Sequence, residues 1–252
     1  MQKLQNAFKV RLGMLRSIAA YYWKPFNLRR LKSFYRQFMT KGDLCFDIGA
    51  HIGNRTNAWH HLGATVVAVE PQDRCLKYMR RKFKGKDNII ILDKGVGAEK
   101  GVLTMNISLV TPTVSTFADD QWQEIIDKDT SFKVKWEETK EVEITTLDAM
   151  IKEYGLPRFC KIDVENYEVE VLKGLSVPLP AVSIEYYPKT LDQAMECIDL
   201  LEGLGTYEYN WSTGETQAFE VDNWITAEDL KAVFRAYDTN GKFGDFYARL
   251  IQ

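Results

Sequence analysis

Lys161, Asp163 and Glu165 stand at every second position in KIDVENYEVEVLKG, a stretch that otherwise reads as a buried strand running into a helix. A two-residue period puts alternate side chains on one face, so the three charges gather where the strand leaves its sheet. Two carboxylates beside an ammonium can do general-base chemistry. Burial and mutual repulsion raise the pKa of one carboxyl, while the ammonium keeps the other ionised and oriented. The same oxygens, with Glu185 at the tip of AVSIEY, could hold a divalent ion, a reading that the spacing permits but does not favour. The inert alternative is a buried Lys161–Asp163 ion pair, with Glu165 serving only the dipole of the helix that starts near Tyr167. No histidine competes for the role of base from the acceptor side, because His51, His60 and His61 all fall in or just after a glycine loop.

That loop, FDIGAHIGN at residues 46–54, leaves a strand, turns on Gly49 and enters a helix near Gly53. Gly49 lets the backbone approach a ligand, Gly53 lets helix pack on strand, and the helix start offers free N–H groups. Glu70, at the end of the next apolar run, can accept both hydroxyls of a ribose lying across the strand tips. The spacing is G-x-x-x-G and not the dinucleotide pattern G-x-G-x-x-G, and Asp47 would repel a pyrophosphate while suiting an ammonium. Both facts favour S-adenosyl-L-methionine over a nicotinamide dinucleotide.

The elements that must position these residues are short apolar runs at 43–48, 64–69, 88–92, 158–163 and 181–186. Most have little polar alternation, as strands buried on both faces do. Helical patterns at 54–62, 73–84, 146–153, 167–173 and 191–204 separate most of them. The alternation predicts an α/β fold, a doubly wound and mostly parallel sheet, with the ligand crevice beyond the carboxyl ends of the strands. Residues 101–145 break the rhythm with VLTMNIS and VEITT around a polar loop holding Trp122 and Trp136, and read as an insertion over one edge. The tail offers TYEYNW, a helix from Thr226 with Asp229 at the capping-box position, and GDFYARLI, enough for two final strands. YDTNGKFGDF fails as a calcium loop, because its glycine falls in the wrong register and Arg249 stands where a bidentate Glu is needed. Tyr186, Tyr187, Trp122, Trp136 and Trp211 are candidates for an aromatic rim, and Ser115 and Thr116 for acceptor contacts.

The successive blocks FDIGAHIGN, VVAVEP, NIIILDKGVG, EITTLDAMI and KIDVENYEVEVLKGL resemble those of the FkbM family of S-adenosylmethionine-dependent methyltransferases, over roughly residues 40–210. The resemblance implies a seven-stranded Rossmann-like class I fold, with six parallel strands and a reversed last one. It also implies methyl transfer, most often to a hydroxyl of a sugar, glycan or other natural product. On that resemblance Asp47, Gly49 and Gly53 match the cofactor loop, Asn54 its polar follower, and Glu70 the ribose-binding acid. The stretch from Asp93 to Val96 matches the loop that walls the adenine. Two positions depart from the family pattern: Asn166 stands where Gly is most usual, and His51 where Asn is common. Asn is the residue after Gly best able to adopt a left-handed backbone, so the turn is expected to survive. His51 either points at the cofactor or merely starts the helix.

Bulk properties set the surroundings. The 252 residues, 45% hydrophobic, suit one domain at 42–252 preceded by a helical arm at 1–41. Residues 1–42 hold ten Lys or Arg and no Asp or Glu, so the formal net charge of −2 conceals an acidic body. The arm reads as an imperfect amphipathic helix ended by Pro25 and a second short helix reaching Met39. It could lie on an anionic membrane surface, mediate self-association, or pack on the domain. Nucleic acid is disfavoured, since the body is acidic and the exit of the fourth strand lacks an N-P-P-Y-type loop. Four scattered cysteines read as reduced thiols, and with no apolar run of spanning length and no secretory leader pattern the expected location is cytoplasmic. The rival from another class is a catalytically silent module that kept the fold.

Overall fold

The computed structural model describes residues 13–19, 21–109, 111, 115–118, 122, 124–125 and 135–251. Its strands are β1 (Leu44–Ile48), β2 (Thr65–Val69), β3 (Ile89–Leu92), β4 (Gly95–Val96), β5 (Gly101–Ser108), β6 (Trp136–Thr145), β7 (Phe159–Ile162), β8 (Ala181–Tyr186), β9 (Tyr207–Thr213) and β10 (Gly244–Leu250). Seven of them form one sheet in the order β3-β2-β1-β7-β8-β10-β9. Only β10 runs against its neighbours, as expected for the reversed last strand.

Both faces of this sheet are covered, which is why its strands carry nearly unbroken apolar runs. Phe46, Ile48, Val67, Ile162, Val182 and Ile184 face one core, closed by the helix Leu191–Leu204. Cys45, Val66, Phe159 and Tyr247 face the other, where the helix Asn54–His60 contributes Trp59. The second half of the basic N-terminal stretch completes that layer. Its helix, Asn27–Tyr35, buries Leu31, Phe34 and Tyr35, and the following Phe38 stacks on Phe159 with ring centroids 4.7 Å apart. Of the expected first arm helix, residues 13–19 and 21–22 are helical, while residues 1–12 and 20 lie outside the described residues.

The insertion forms a separate three-stranded sheet, β4-β6-β5, in which β5 and β6 are antiparallel. Trp136 opens β6 and so is not in the polar loop where its spacing placed it. The C-terminal helix, Ala227–Arg235, starts at Thr226 with the reciprocal capping box to Asp229 that the sequence pattern predicts. All four cysteines are free and buried. Among the described residues, no helix is long and apolar enough to cross a membrane.

Candidate active site

A cavity of about 630 Å³ opens beyond the carboxyl ends of β1, β2, β7 and β8. Its floor is the point where β1 and β7 leave the sheet side by side, the switch point at which open α/β sheets bind ligands. The Gly49 backbone is left-handed (φ 78°), and a Cβ there would lie 1.8 Å from the carbonyl oxygen of Asp163. Gly53, also left-handed, has no room for a Cβ between Phe83 and Met79, so the close packing it permits is against the helix Asp73–Lys82 and its C-cap and not against a strand as anticipated.

The cofactor-side acids are held by the backbone around them. Asp47 is buried, and its Oδ2 accepts hydrogen bonds from the Thr56 amide (3.0 Å) and hydroxyl. An amide of the expected helix-start donors is thus already taken by Asp47. Glu70 accepts one hydrogen bond from the His51 amide on Oε2 and another from the Gln72 amide on Oε1, both at 2.8 Å. Burial still pushes its carboxyl up to about 8. His51 does not start the helix, whose N-cap is Gly53; its amide orients Glu70, and the residue lines the cavity. Its ring meets Tyr21 edge-on at 5.8 Å and lies 3.4 Å from the Ser17 hydroxyl, and burial lowers its pKa to about 4, so it is neutral. Asn54 is buried against the cavity, and its Nδ2 has no partner among the described residues. Val96 lines the wall. Asp93 does not; it faces outward to Lys140 (3.2 Å) and Arg80 (3.9 Å).

On the acceptor side, KIDVEN turns out of the sheet at once. Lys161 is buried, with Nζ 2.6 Å from Asp245 Oδ1 and 3.2 Å from Asp163 Oδ2. Burial pushes the Asp163 carboxyl up, but Lys161 and Arg55 outweigh it, and with a hydrogen bond from Glu185 they hold it below its ordinary value. Glu165 and Glu185 go the other way: burial, and then the charge of Asp163, drive both carboxyls well above the ordinary range. One oxygen from each of Asp163, Glu165 and Glu185 falls within 4.8 Å of the others, a spacing that suits a shared cation.

Asn166 adopts the expected left-handed backbone (φ 71°), and Glu165 does so too (φ 57°), which its residue type did not foretell. Two successive left-handed residues without glycine store strain. They are steadied by the Thr116 hydroxyl, which donates to the Glu165 carbonyl at 2.6 Å. The acid that serves the following helix is Glu168, whose Oε1 accepts from the Val164 amide (2.9 Å); burial moves its carboxyl up to about 7. The inert role considered for Glu165 is therefore filled by another residue.

Arg55 and Asp245 were not singled out in the sequence. Arg55 pairs with Glu215 (3.2 Å) and reaches Asp245 (3.9 Å), which in turn holds Lys161. Each carries a signal in hindsight: a cation in the first turn of a helix opposes the helix dipole, and Asp245 is a charge entering an apolar strand.

Residues 47–227 match the model of the methyltransferase FkbM domain. The chain belongs to the FkbM methyltransferase family. The FkbM match takes in every residue above from Asp47 to Glu215, but not Asp245, nor Ser17 and Tyr21. No curated protein sequence matches the chain. Solved structures with a similar fold include a precorrin-6y C5,15-methyltransferase from Geobacter metallireducens (TM-score 0.47, 13% identity, covering 92% of this chain and 90% of that one). Others are a TehB-like SAM-dependent methyltransferase from Corynebacterium glutamicum (0.48, 9%, 99% and 100%) and an O-methyltransferase from Bacillus cereus in complex with SAH (0.46, 12%, 98% and 90%). With TM-scores below 0.5, they add nothing about the reaction of this FkbM chain.

Proposed function

We propose that this FkbM methyltransferase transfers the methyl group of S-adenosyl-L-methionine to a hydroxyl of a sugar, glycan or related hydroxylated metabolite. The observation that carries the reading is Glu165, a high-pKa carboxyl on a strained turn inside the cavity, grouped there with Asp163 and Glu185. A hydroxyl acceptor must lose a proton as its oxygen is methylated, and a nearby base contributes roughly 100-fold or more.

The wall around Gly49 fits a nucleoside with a charged amino-acid tail. The unpartnered Nδ2 of buried Asn54 supports this, since it is a donor awaiting an acceptor. Glu70 would take the ribose hydroxyls, Asp47 the ammonium, and Val96 a side of the adenine. Bound there, the cofactor supplies an electrophilic methyl carbon. Glu165 would accept the acceptor's proton, while Asp163, kept ionised by Lys161, orients the cluster. Tyr187 and Trp122, edge to face at 5.2 Å, offer apolar faces of the kind that receive sugar rings. Four free, buried thiols suit a reducing compartment, and we place the enzyme in the cytoplasm.

Calorimetry with S-adenosylhomocysteine tests the cofactor half: the wild type binds and Glu70→Ala does not. Absence of binding by the wild type overturns the reading. Labelled methyl offered with glycan and lipid extracts tests the acceptor half, where label arriving on oxygen is expected. Label on nitrogen removes the hydroxyl, and no label on any extract favours a silent module. A chelator should leave turnover intact, because Lys161 already neutralises part of the acidic cluster; loss of turnover reassigns Asp163, Glu165 and Glu185 to a metal ion.

A further inference from the structure

The N-terminal segment has two sides, and the cavity uses only one of them. Ser17 and Tyr21 point at His51, and the Tyr22 hydroxyl donates to the Ile52 carbonyl at 2.9 Å. On the other side the chain turns through Trp23-Lys24-Pro25-Phe26 before the helix Asn27–Tyr35, and this turn projects into solvent. Trp23 is 68% exposed, Phe26 75% and Leu15 54%. Phe26 is also left-handed, an unfavourable backbone for a bulky residue.

The turn is nevertheless well fixed. Asn27 Nδ2 donates to the Tyr21 carbonyl at 2.7 Å, and the Lys82 ammonium sits 3.8 Å from the centre of the Tyr22 ring. Lys24 and Arg29 are exposed within the segment, and no acid occurs before Asp43.

We propose that the Trp23–Phe26 turn, with Leu15 and Leu28, is a docking surface for an anionic lipid bilayer. A fixed turn that exposes Trp and Phe among cations has the composition of a membrane-interface anchor: the rings enter the headgroup boundary and the cations meet anionic lipid. The charge complementarity is one-sided, because the body of the molecule is acidic overall while residues 1–42 carry ten Lys or Arg and no acid. Nucleic acid would also attract the cations, but it offers no apolar medium to Leu15 and Leu28, which have no face to stack on a base.

The test is co-sedimentation of the full chain with vesicles of phosphatidylcholine alone, or with about a third phosphatidylglycerol. Partition onto the anionic vesicles should exceed that onto neutral ones by about tenfold or more and fall as salt is added. Lys24→Glu/Arg29→Glu should remove this preference. Trp23→Ser/Phe26→Ser should lower binding by about tenfold while the thermal unfolding midpoint stays that of the wild type. Equal binding to both vesicles, no binding to either, or undiminished binding by the Trp23/Phe26 variant overturns the proposal. So does capture by single-stranded RNA under conditions where anionic vesicles capture nothing. None of these readouts depends on methyl transfer.

Discussion

Lys161 Nζ lies 2.6 Å from Asp245 Oδ1 although the strands that carry them, β7 and β10, are separated by β8. In the register Lys161 pairs with Ser183 of β8 and Asp245 with Glu185, two residues farther on, so the ammonium reaches diagonally across β8 past the small Ser183. Asp245→Ala removes one of the two partners of a buried ammonium. It should cost about 3 kcal/mol in denaturant unfolding, since a half-broken buried pair is worse than none. A loss no larger than that of a surface substitution shows that Asp163 alone satisfies Lys161.

Glu165→Gln keeps the size and much of the hydrogen bonding of the side chain but removes the base. Turnover should fall by roughly 100-fold or more, while S-adenosylhomocysteine binds as to the wild type. Because burial and then the charge of Asp163 hold the Glu165 carboxyl well above the ordinary range, the wild-type rate should still be rising with pH above that range as the proton is lost. The variant should lack this ascending limb. Unchanged turnover takes Glu165 out of the mechanism.

Gly49→Ala brings a methyl group to 1.8 Å from the Asp163 carbonyl oxygen, which cannot be met by a side-chain adjustment. Destabilisation of about 3 kcal/mol or more, with at least about a tenfold loss of S-adenosylhomocysteine affinity, is expected from thermal unfolding and calorimetry. Gly42→Ala is the control. Gly42 is left-handed as well (φ 94°) but has nothing within 4 Å of the added carbon, so only the backbone penalty of about 1–2 kcal/mol applies.

Glu70 and Glu168, held in the folded protein at about 8 and about 7, ionise near their ordinary value of 4.5 once unfolded. Between those limits the folded state carries protons that the unfolded state has lost. Their contribution to stability is therefore highest at the acid end of this window and falls as pH rises through it, opposed below about pH 6.5 by His51, whose lowered pKa favours the folded state as pH rises. The melting temperature should drop from about pH 6.5 to about pH 8, and less steeply in Glu70→Gln. A rising melting temperature, or a slope that Glu70→Gln leaves unaltered, contradicts this assignment.

The sheet was legible because β1, β2, β7 and β8 are largely buried on both faces and the edge strand β3 is half-buried, which favours nearly unbroken apolar runs. Gly49, Glu70 and Asp163 followed from it, since the strand tips define where a ligand can sit. Asn166 was legible for a backbone reason, its tolerance of positive φ. Glu165 shares that conformation but offers no such sign, because its strain is imposed by the chain on either side. Asp93 was misplaced for a related reason: Lys140 comes from β6 inside the insertion, and nothing in the local spacing says that its ammonium draws Asp93 outward. The Arg55–Asp245 contact joins residues far apart in the chain, and such a pairing becomes visible only once the strand order is known.

The missing side chain at Gly49 has a mechanical consequence. The loop after β1 and the loop after β7 touch backbone to backbone, so the wall that would hold the cofactor and the turn that carries Glu165 form one rigid seat. Neither can swing without carrying the other. The segment bearing Ser17 and Tyr21 and the insertion bearing Thr116 meet that seat from outside the seven-stranded sheet, the first through Tyr22 to the Ile52 carbonyl, the second through Thr116 to the Glu165 carbonyl and Lys140 to Asp73 and Asp93.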